Sequence, residues 1–262
     1  MMIPDLMQKK TKGKKITMLT AYDYLFARIL DEAGIDVILV GDSLSVVVQG
    51  NRNTLPVTME EMIYHTKIVS RGVRNAVLLA DMPFLSYQTS VSDAVFNAGR
   101  LLKEGNAMGV KLEGGSAVID RVRAIADAGI PVMGHLGLTP QSIHKMGGYK
   151  VQGREPKQAK KMVSDALLIQ EAGAFGLLLE GIPAPLAKKI TQSLTIPTIG
   201  IGAGADCDGQ VLVLYDLLGL FDDFVPKFVR QYTDLKKITD KAIRRYKSDV
   251  ENRKFPSSDE SY

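Results

Sequence analysis

A chain of 262 residues, 45% hydrophobic and 24% charged, has the composition of one ordinary globular domain, and no apolar run is long enough to span a bilayer. The single cysteine, Cys207, excludes an internal disulfide framework and a cysteine metal cluster. The net charge of +4 draws on lysine and arginine runs in the leader and tail that carry no binding motif; they read as solvated helix faces and not as a nucleic-acid surface. The amino terminus shows no basic region followed by a long apolar core, so cytoplasm is the expected compartment and no membrane partner is expected.

After a polar leader, Ile16–Thr20 reads as a strand and residues 22–33 as an amphipathic helix with Leu25, Ile29 and Leu30 on its apolar side. Gly34 closes that helix, and Gly105, Gly129 and Gly173 repeat the punctuation where a helix C-terminus needs a left-handed residue. The next apolar run, residues 38–40, stops at Asp42 and Ser43. Residues 46–57 form a longer excursion, read as a loop over the site, before Thr58 and Glu61 open a helix with a capping box. Further strands follow, at 76–80 ending on Asp81, at 107–110 running into Lys111 and Glu113, at 132–134 ending on His135, and at 176–179 ending on Glu180. Between and after them helices are predicted over 90–104, 117–128, 156–172 and 183–194, then strands at 198–202 and 211–214. Helices at 226–232 and 238–254 and a polar tail from about 255 end the chain. About eight βα units without a visible boundary predict a single (βα)8 barrel domain over residues 1–262.

Polar side chains at successive ends of parallel strands converge at one mouth of such a barrel, where α/β enzymes keep their chemistry. Asp42 and Asp81, with Glu113 close by, offer hard oxygen ligands without clustered histidine or cysteine, a set that suits magnesium. Each aspartate taken singly could instead cap the following helix, but three packed acids without a cation would raise one another's pKa. Lys111 can pair with Glu113 or Asp81, bind an anionic substrate or form a Schiff base; three carboxylates around it keep it protonated and disfavour the last. Glu180 is either a general base over a bound substrate or an N-cap for the helix at Pro183. His135 is open between an acid/base role and packing, and His65 and His144 carry no assigned role. The stretch 199–204, Ile-Gly-Ile-Gly-Ala-Gly, lacks the G-x-G-x-x-G helix entry, so it reads as backbone crowding at the rim or contact with a flat ligand.

These motifs together resemble one family. Val40-Gly41-Asp42-Ser43-Leu44, Leu79-Ala80-Asp81-Met82-Pro83-Phe84, Val110-Lys111-Leu112-Glu113-Gly114-Gly115, Gly134-His135-Leu136-Gly137-Leu138-Thr139-Pro140 and Gly147-Gly148-Tyr149-Lys150-Val151-Gln152-Gly153-Arg154 are similar to ketopantoate hydroxymethyltransferases, and the likeness runs from about Thr20 to Phe228. The resemblance implies a barrel of the phosphoenolpyruvate/pyruvate superfamily type, assembled as a homodecamer. It implies transfer of the one-carbon unit of 5,10-methylenetetrahydrofolate to 3-methyl-2-oxobutanoate through a magnesium-stabilised enolate, the first step towards pantothenate. Carried across by matched motif, Asp42 and Asp81 resemble the Mg2+ ligands, with Glu113 the third carboxylate, Ser43 and Lys111 the groups that bind the oxo acid, and Glu180 the proton acceptor. Ser45, Gly181 and the segment 205–207 depart from the family's pattern. Two rival readings are a carbon–carbon lyase of the same superfamily and a catalytically silent barrel that only binds metabolites.

Overall fold

Parallel strands close on themselves in sequence order, from β1 (Ile16–Thr20) through β2 (Val37–Val40), β3 (Val77–Asp81), β4 (Gly109–Glu113), β5 (Val132–Gly137), β6 (Gly176–Glu180) and β7 (Thr198–Ile201) to β8 (Gly209–Leu212), which pairs back with β1. The structure is a computed structural model that describes residues 1–222 and 225–262; positions 223 and 224, inside the span of the family likeness, lie outside the described residues. The strands β2, β3 and β4 are buried at every position, as expected for parallel strands covered on both faces. Inward side chains, among them Met18, Val37, Leu39, Leu79, Met133, Leu178, Ile199 and Val211, fill the barrel and make it a packed core.

The leader is a helix and not only a polar lead-in. Helix α1 (Ile3–Thr11) inserts Leu6 into that core, 1% exposed. Its lysines are paired: Lys9 with Asp36 and Lys10 with Asp208, 2.7 Å away in the second case. Both aspartates also accept from threonines at strand starts, Thr17 and Thr198, so the helix is clamped under the barrel floor.

Helices α2 (Tyr24–Glu32), α3 (Leu44–Val47), α4 (Met59–Ser70), α5 (Val91–Lys103), α6 (Ile119–Asp127), α7 (Ile143–Met146), α8 (Pro156–Glu171) and α9 (Ala184–Ser193) occupy the connections. The predicted capping box at Thr58 and Glu61 starts α4, and Ser90 caps α5. Helix α2 buries a different face from the one its apolar residues suggest. Ala27, Leu30 and Asp31 point inward, whereas Leu25 and Ile29 stay exposed, because the Asp31 carboxylate accepts the Asn75 and Ala76 N–H groups ahead of β3. The helix also starts two residues later than the pattern suggests, with Asp23 as its cap, and Tyr22, ahead of it, is buried. The last strand sits two residues earlier than expected.

The seventh connection departs from βα repetition: residues 202–208 carry no helix. Close packing explains Gly204 there, since a Cβ on it (φ +84°) would lie 2.5 Å from that of Ala184 at the start of α9.

The described residues divide into two compact units, Met1–Val213, which holds the whole barrel, and Leu214–Tyr262. The chain passes from β8 into α10 (Leu214–Leu217) with no linker between them, which is why composition marks no boundary there. In the second unit, the helix expected over 226–232 is absent. One turn closes from Val229 N–H to Pro226, and the Tyr232 N–H is drawn to the Leu217 carbonyl instead. Helix α11 (Leu235–Glu251) buries none of its residues, and a 3₁₀ turn, Ser258–Glu260, lies in the tail expected to be polar. No helix among the described residues is long and apolar enough to cross a membrane.

Candidate active site at the barrel mouth

Strand register brings the predicted polar residues to one end. Asp81 ends β3 opposite Lys111 on β4, Glu113 lies opposite His135 on β5, and Gly137 lies opposite Glu180 at the end of β6. Lys111 and Glu113 are two apart on one strand and so share its inward face. Asp42 follows β2 by two residues, and its backbone N–H donates to Asp81 Oδ2 at 3.0 Å. Asp42, Ser43, Asp81, Lys111, Glu113 and Glu180 all line a cavity of about 110 Å³, so every site residue expected from sequence is in one place. The excursion after Asp42 contributes Thr54 to the same wall.

Glu180 reaches the rim because its neighbour is a glycine. A Cβ at Gly137, φ +100°, would sit 2.1 Å from the Glu180 carbonyl oxygen, which instead accepts the Leu138 N–H at 2.8 Å. Its side chain does not cap the helix that follows: Pro183 occupies the N-cap position of α9 and no side chain caps it. The Glu180 Oε2 atom lies 3.2 Å from His135 Nε2, and 15% of the side chain is exposed, on the mouth.

Charge is packed tightly here. Asp42, Asp81, Lys111, Glu113 and His135 are each 5% exposed or less. Lys111 Nζ lies 2.9 Å from Asp81 Oδ1 and 3.5 Å from His135 Nδ1, and that ring nitrogen is 3.5 Å from Glu113 Oε1. Burial, then the charges of Asp81 and Glu113, push the Asp42 carboxyl well above the usual carboxylate range. Burial also raises Asp81, against the opposing pull of Lys111. Burial alone would lower Lys111, but Asp81, Glu113 and Asp42 outweigh it and hold the ammonium protonated above its ordinary value, which removes the nucleophilic amine a Schiff base needs. The His135 ring loses to burial and to Lys111, yet its contacts with Glu113 and Glu180 lift it to about 9. His135 therefore bridges Glu113 and Glu180, a role that sequence leaves open.

Three partners were not singled out from sequence. Gln141, from the 3₁₀ turn Pro140–Ser142, donates its side-chain amide to Asp42 Oδ2 and to the Met82 carbonyl, both at 2.9 Å, and its backbone N–H to Glu113 Oε2 at 3.0 Å. Tyr87, 1% exposed, donates to Gln141 Oε1 at 2.8 Å and accepts the Glu113 N–H at 3.1 Å. The Tyr22 hydroxyl lies 2.8 Å from Ser43 Oγ and fixes that side chain. Gln141 and Asp42 are 99 residues apart, and only the strand-end position of the Thr139-Pro140-Gln141 turn hinted at the contact.

The donor set suits a hard divalent cation. Three buried carboxylates face one permanent ammonium, an excess of buried negative charge that a cation would offset, with Asp81 Oδ1 already paired to Lys111 at 2.9 Å. Among the described residues no three His, Cys, Asp or Glu side chains already converge as a ligand set. The carboxylates are held apart by Lys111 and Gln141, so a cation would have to compete with both for Asp81 and Asp42.

Comparison with known proteins points in one direction. A family model described as ketopantoate hydroxymethyltransferase matches residues 1–258. The chain is 57% identical to the 3-methyl-2-oxobutanoate hydroxymethyltransferase of Geobacter sulfurreducens, over 99% of this chain and 97% of that one. With the enzyme of that name from Moorella thermoacetica it is 58% identical over the same shares. Among solved structures it superposes on 2,3-dimethylmalate lyase, a member of the PEP mutase/isocitrate lyase superfamily, with a TM-score of 0.65 at 17% identity over 95% of this chain and 88% of that one. Phosphonopyruvate hydrolase superposes with a TM-score of 0.64 at 12% identity over 99% and 93%.

Proposed function

The chain belongs to the ketopantoate hydroxymethyltransferase family, and on that premise we propose that it transfers the one-carbon unit of 5,10-methylenetetrahydrofolate to C3 of 3-methyl-2-oxobutanoate, yielding ketopantoate. One observation supports the chemistry above all: three buried carboxylates gathered around Lys111, with Glu180 on the rim beside them. Asp42 and Asp81, with Glu113, are the residues that would hold Mg2+. When bound, the ion supplies Lewis-acid polarisation of the substrate's keto group.

The protein's own groups do the rest. Lys111 offers a fixed positive charge to the oxo acid's carboxylate, and Ser43, set by Tyr22, offers a hydroxyl beside it. Glu180 removes the C3 proton. Water takes the methylene carbon off the folate as its two carbon–nitrogen bonds break, its two hydrogens going to the nitrogens, which gives tetrahydrofolate and a carbonyl at the formaldehyde level. The electron pair left on C3 forms the new carbon–carbon bond to that carbon as its C=O π bond breaks, and the resulting alkoxide takes the proton from Glu180 and becomes the product's hydroxyl. His135, against Oε2, orients the Glu180 carboxylate and offers it a charged neighbour once it is ionised.

Deuterium exchange at C3 of 3-methyl-2-oxobutanoate, measured without folate and with or without Mg2+, tests this reading, because it isolates proton removal from transfer. A silent barrel gives no Mg2+-dependent exchange, and a lyase cleaves an oxo-acid adduct without needing folate. Exhaustive chelation is expected to lower exchange at least ~100-fold, since a Lewis acid at a keto oxygen is worth several kcal/mol, and Mg2+ is expected to restore it. Full exchange after chelation would remove the cation from the proposal.

We place the reaction in the cytoplasm, in keeping with the buried, unpaired Cys207. We also assign the protein to a homo-oligomer, a decamer on the family pattern. Helices α2, α4 and α5 are neighbours around the barrel and expose Leu25, Ile29, Tyr64 and Phe96, each more than half accessible. Light scattering at micromolar concentration is expected to report a multiple of the 28.6 kDa chain, and a monomer mass would contradict it.

A further inference from the structure

The cavity at the mouth, about 110 Å³, is on the scale of a small organic acid and well below the ~300–1,000 Å³ of sites that enclose larger ligands. A folate cannot lie inside it with the oxo acid, so the donor's flat ring system must be held outside, against whatever stands beside Glu180. That position belongs to the segment between α7 and α8, whose Gly-Gly-Tyr-Lys-Val motif has no part in the chemistry described so far. The Gln152 N–H donates to the carbonyl of Gly181, the residue after Glu180, at 2.9 Å, which ties the segment to the rim next to the base. Gly147 and Gly148, at φ +68° and +110°, turn the chain back on itself, and the Lys150 N–H closes on the Gly148 carbonyl at 3.0 Å. The side chain lifted at the top of this turn is Tyr149, 55% exposed. Tyr149 lies three residues before Gln152, so the tie to Gly181 keeps it at the Glu180 side of the rim, where partial burial and then the charges of Glu180, Asp42 and Glu113 raise the pKa of its hydroxyl.

We propose that Tyr149 is the aromatic platform on which the pterin ring of the folate donor stacks, presenting the methylene carbon to the oxo acid beside Glu180. The assignment rests on the function proposed above. An exposed ring on a turn can take a planar heteroaromatic face to face with little ordering cost, and stacking needs the ring and not its hydroxyl. Phe84, three residues beyond Asp81 and 37% exposed, is an exposed ring close to a strand end and is the natural competitor.

The test compares Tyr149→Ala, Tyr149→Phe and Phe84→Ala. For each, the KM for 5,10-methylenetetrahydrofolate is measured, together with the affinity for tetrahydrofolate by titration calorimetry and the folate-free C3 exchange. Tyr149→Ala is expected to raise donor KM and weaken tetrahydrofolate about tenfold, a rise that exceeds any loss in C3 exchange by about the same factor. Tyr149→Phe is expected to stay within about twofold of the parent chain. Unchanged donor KM and tetrahydrofolate affinity in Tyr149→Ala would overturn the proposal, as would a tenfold loss in Tyr149→Phe, which would mean the hydroxyl and not the ring matters. A loss confined to Phe84→Ala would move the platform there. Absence of exchange in the parent protein would instead strike the proposed function itself, so the two failures are separable.

Discussion

Glu180→Gln is expected to lower C3 exchange by roughly 10²–10⁴-fold, the usual cost of a lost general base, while oxo-acid affinity changes little. The amide keeps the size of the side chain and can keep its place beside His135 Nε2, 3.2 Å away, but it cannot accept a proton. The alternative role for Glu180, a cap on α9, is not what the fold uses, because Pro183 takes that position and no side-chain cap forms. A small change in thermal stability with intact exchange is therefore not the expected result. Should Glu180→Gln exchange at close to the parent rate under saturating oxo acid and Mg2+, the base lies elsewhere, and His135, buried between Glu113 and Glu180, is the next residue to substitute.

Asp81→Asn is expected to weaken Mg2+ and oxo-acid binding together, each by roughly 100-fold or more. Loss of partners that merely support a ligand already costs ~10–100-fold in metal affinity, and Asp81 is proposed as a ligand itself. The carboxylate does two things at once: Oδ2 accepts the Asp42 N–H at 3.0 Å, and Oδ1 faces Lys111 Nζ at 2.9 Å. An asparagine can still accept from Asp42, but its amide nitrogen would then confront the ammonium, donor against donor. Both members of the pair are buried, and removing one charge from a buried pair costs about 3–5 kcal/mol, so a lower melting temperature should accompany the binding loss. Titrating Mg2+ against exchange rate, and oxo acid by calorimetry, separates this variant from Glu180→Gln, in which both affinities survive. Parent-like Mg2+ affinity in Asp81→Asn would leave Asp81 as the partner of Lys111 alone.

Much of this was legible along the chain. Apolar runs that stop at Asp42, Asp81, Lys111, Glu180 and His135 are local patterns, and a parallel barrel puts all strand ends on one rim, so the candidate residues and their common mouth follow from period and punctuation. The capping signal at Thr58 is local too, since the bond it makes with the Glu61 N–H spans three residues. What the pattern misplaced depends on contacts between distant segments. Helix α2 turned Leu25 outward because Asp31 was claimed by Asn75 and Ala76, and residues 226–232 gave up a helix because Tyr232 bonds to Leu217.

Composition and spacing alone determined an α/β chain with strand-end acids and one strand-end lysine, because those properties reside in single residues and their near neighbours. Only the tertiary structure decided what each acid faces. Gln141 reaches Asp42 across 99 residues, Tyr22 orients Ser43, His135 joins Glu113 to Glu180, and Tyr149 is carried to the rim by a turn tied to Gly181. Barrel closure places these groups within hydrogen-bonding reach, and no local propensity encodes a distance between residues that meet only when the last strand pairs with the first.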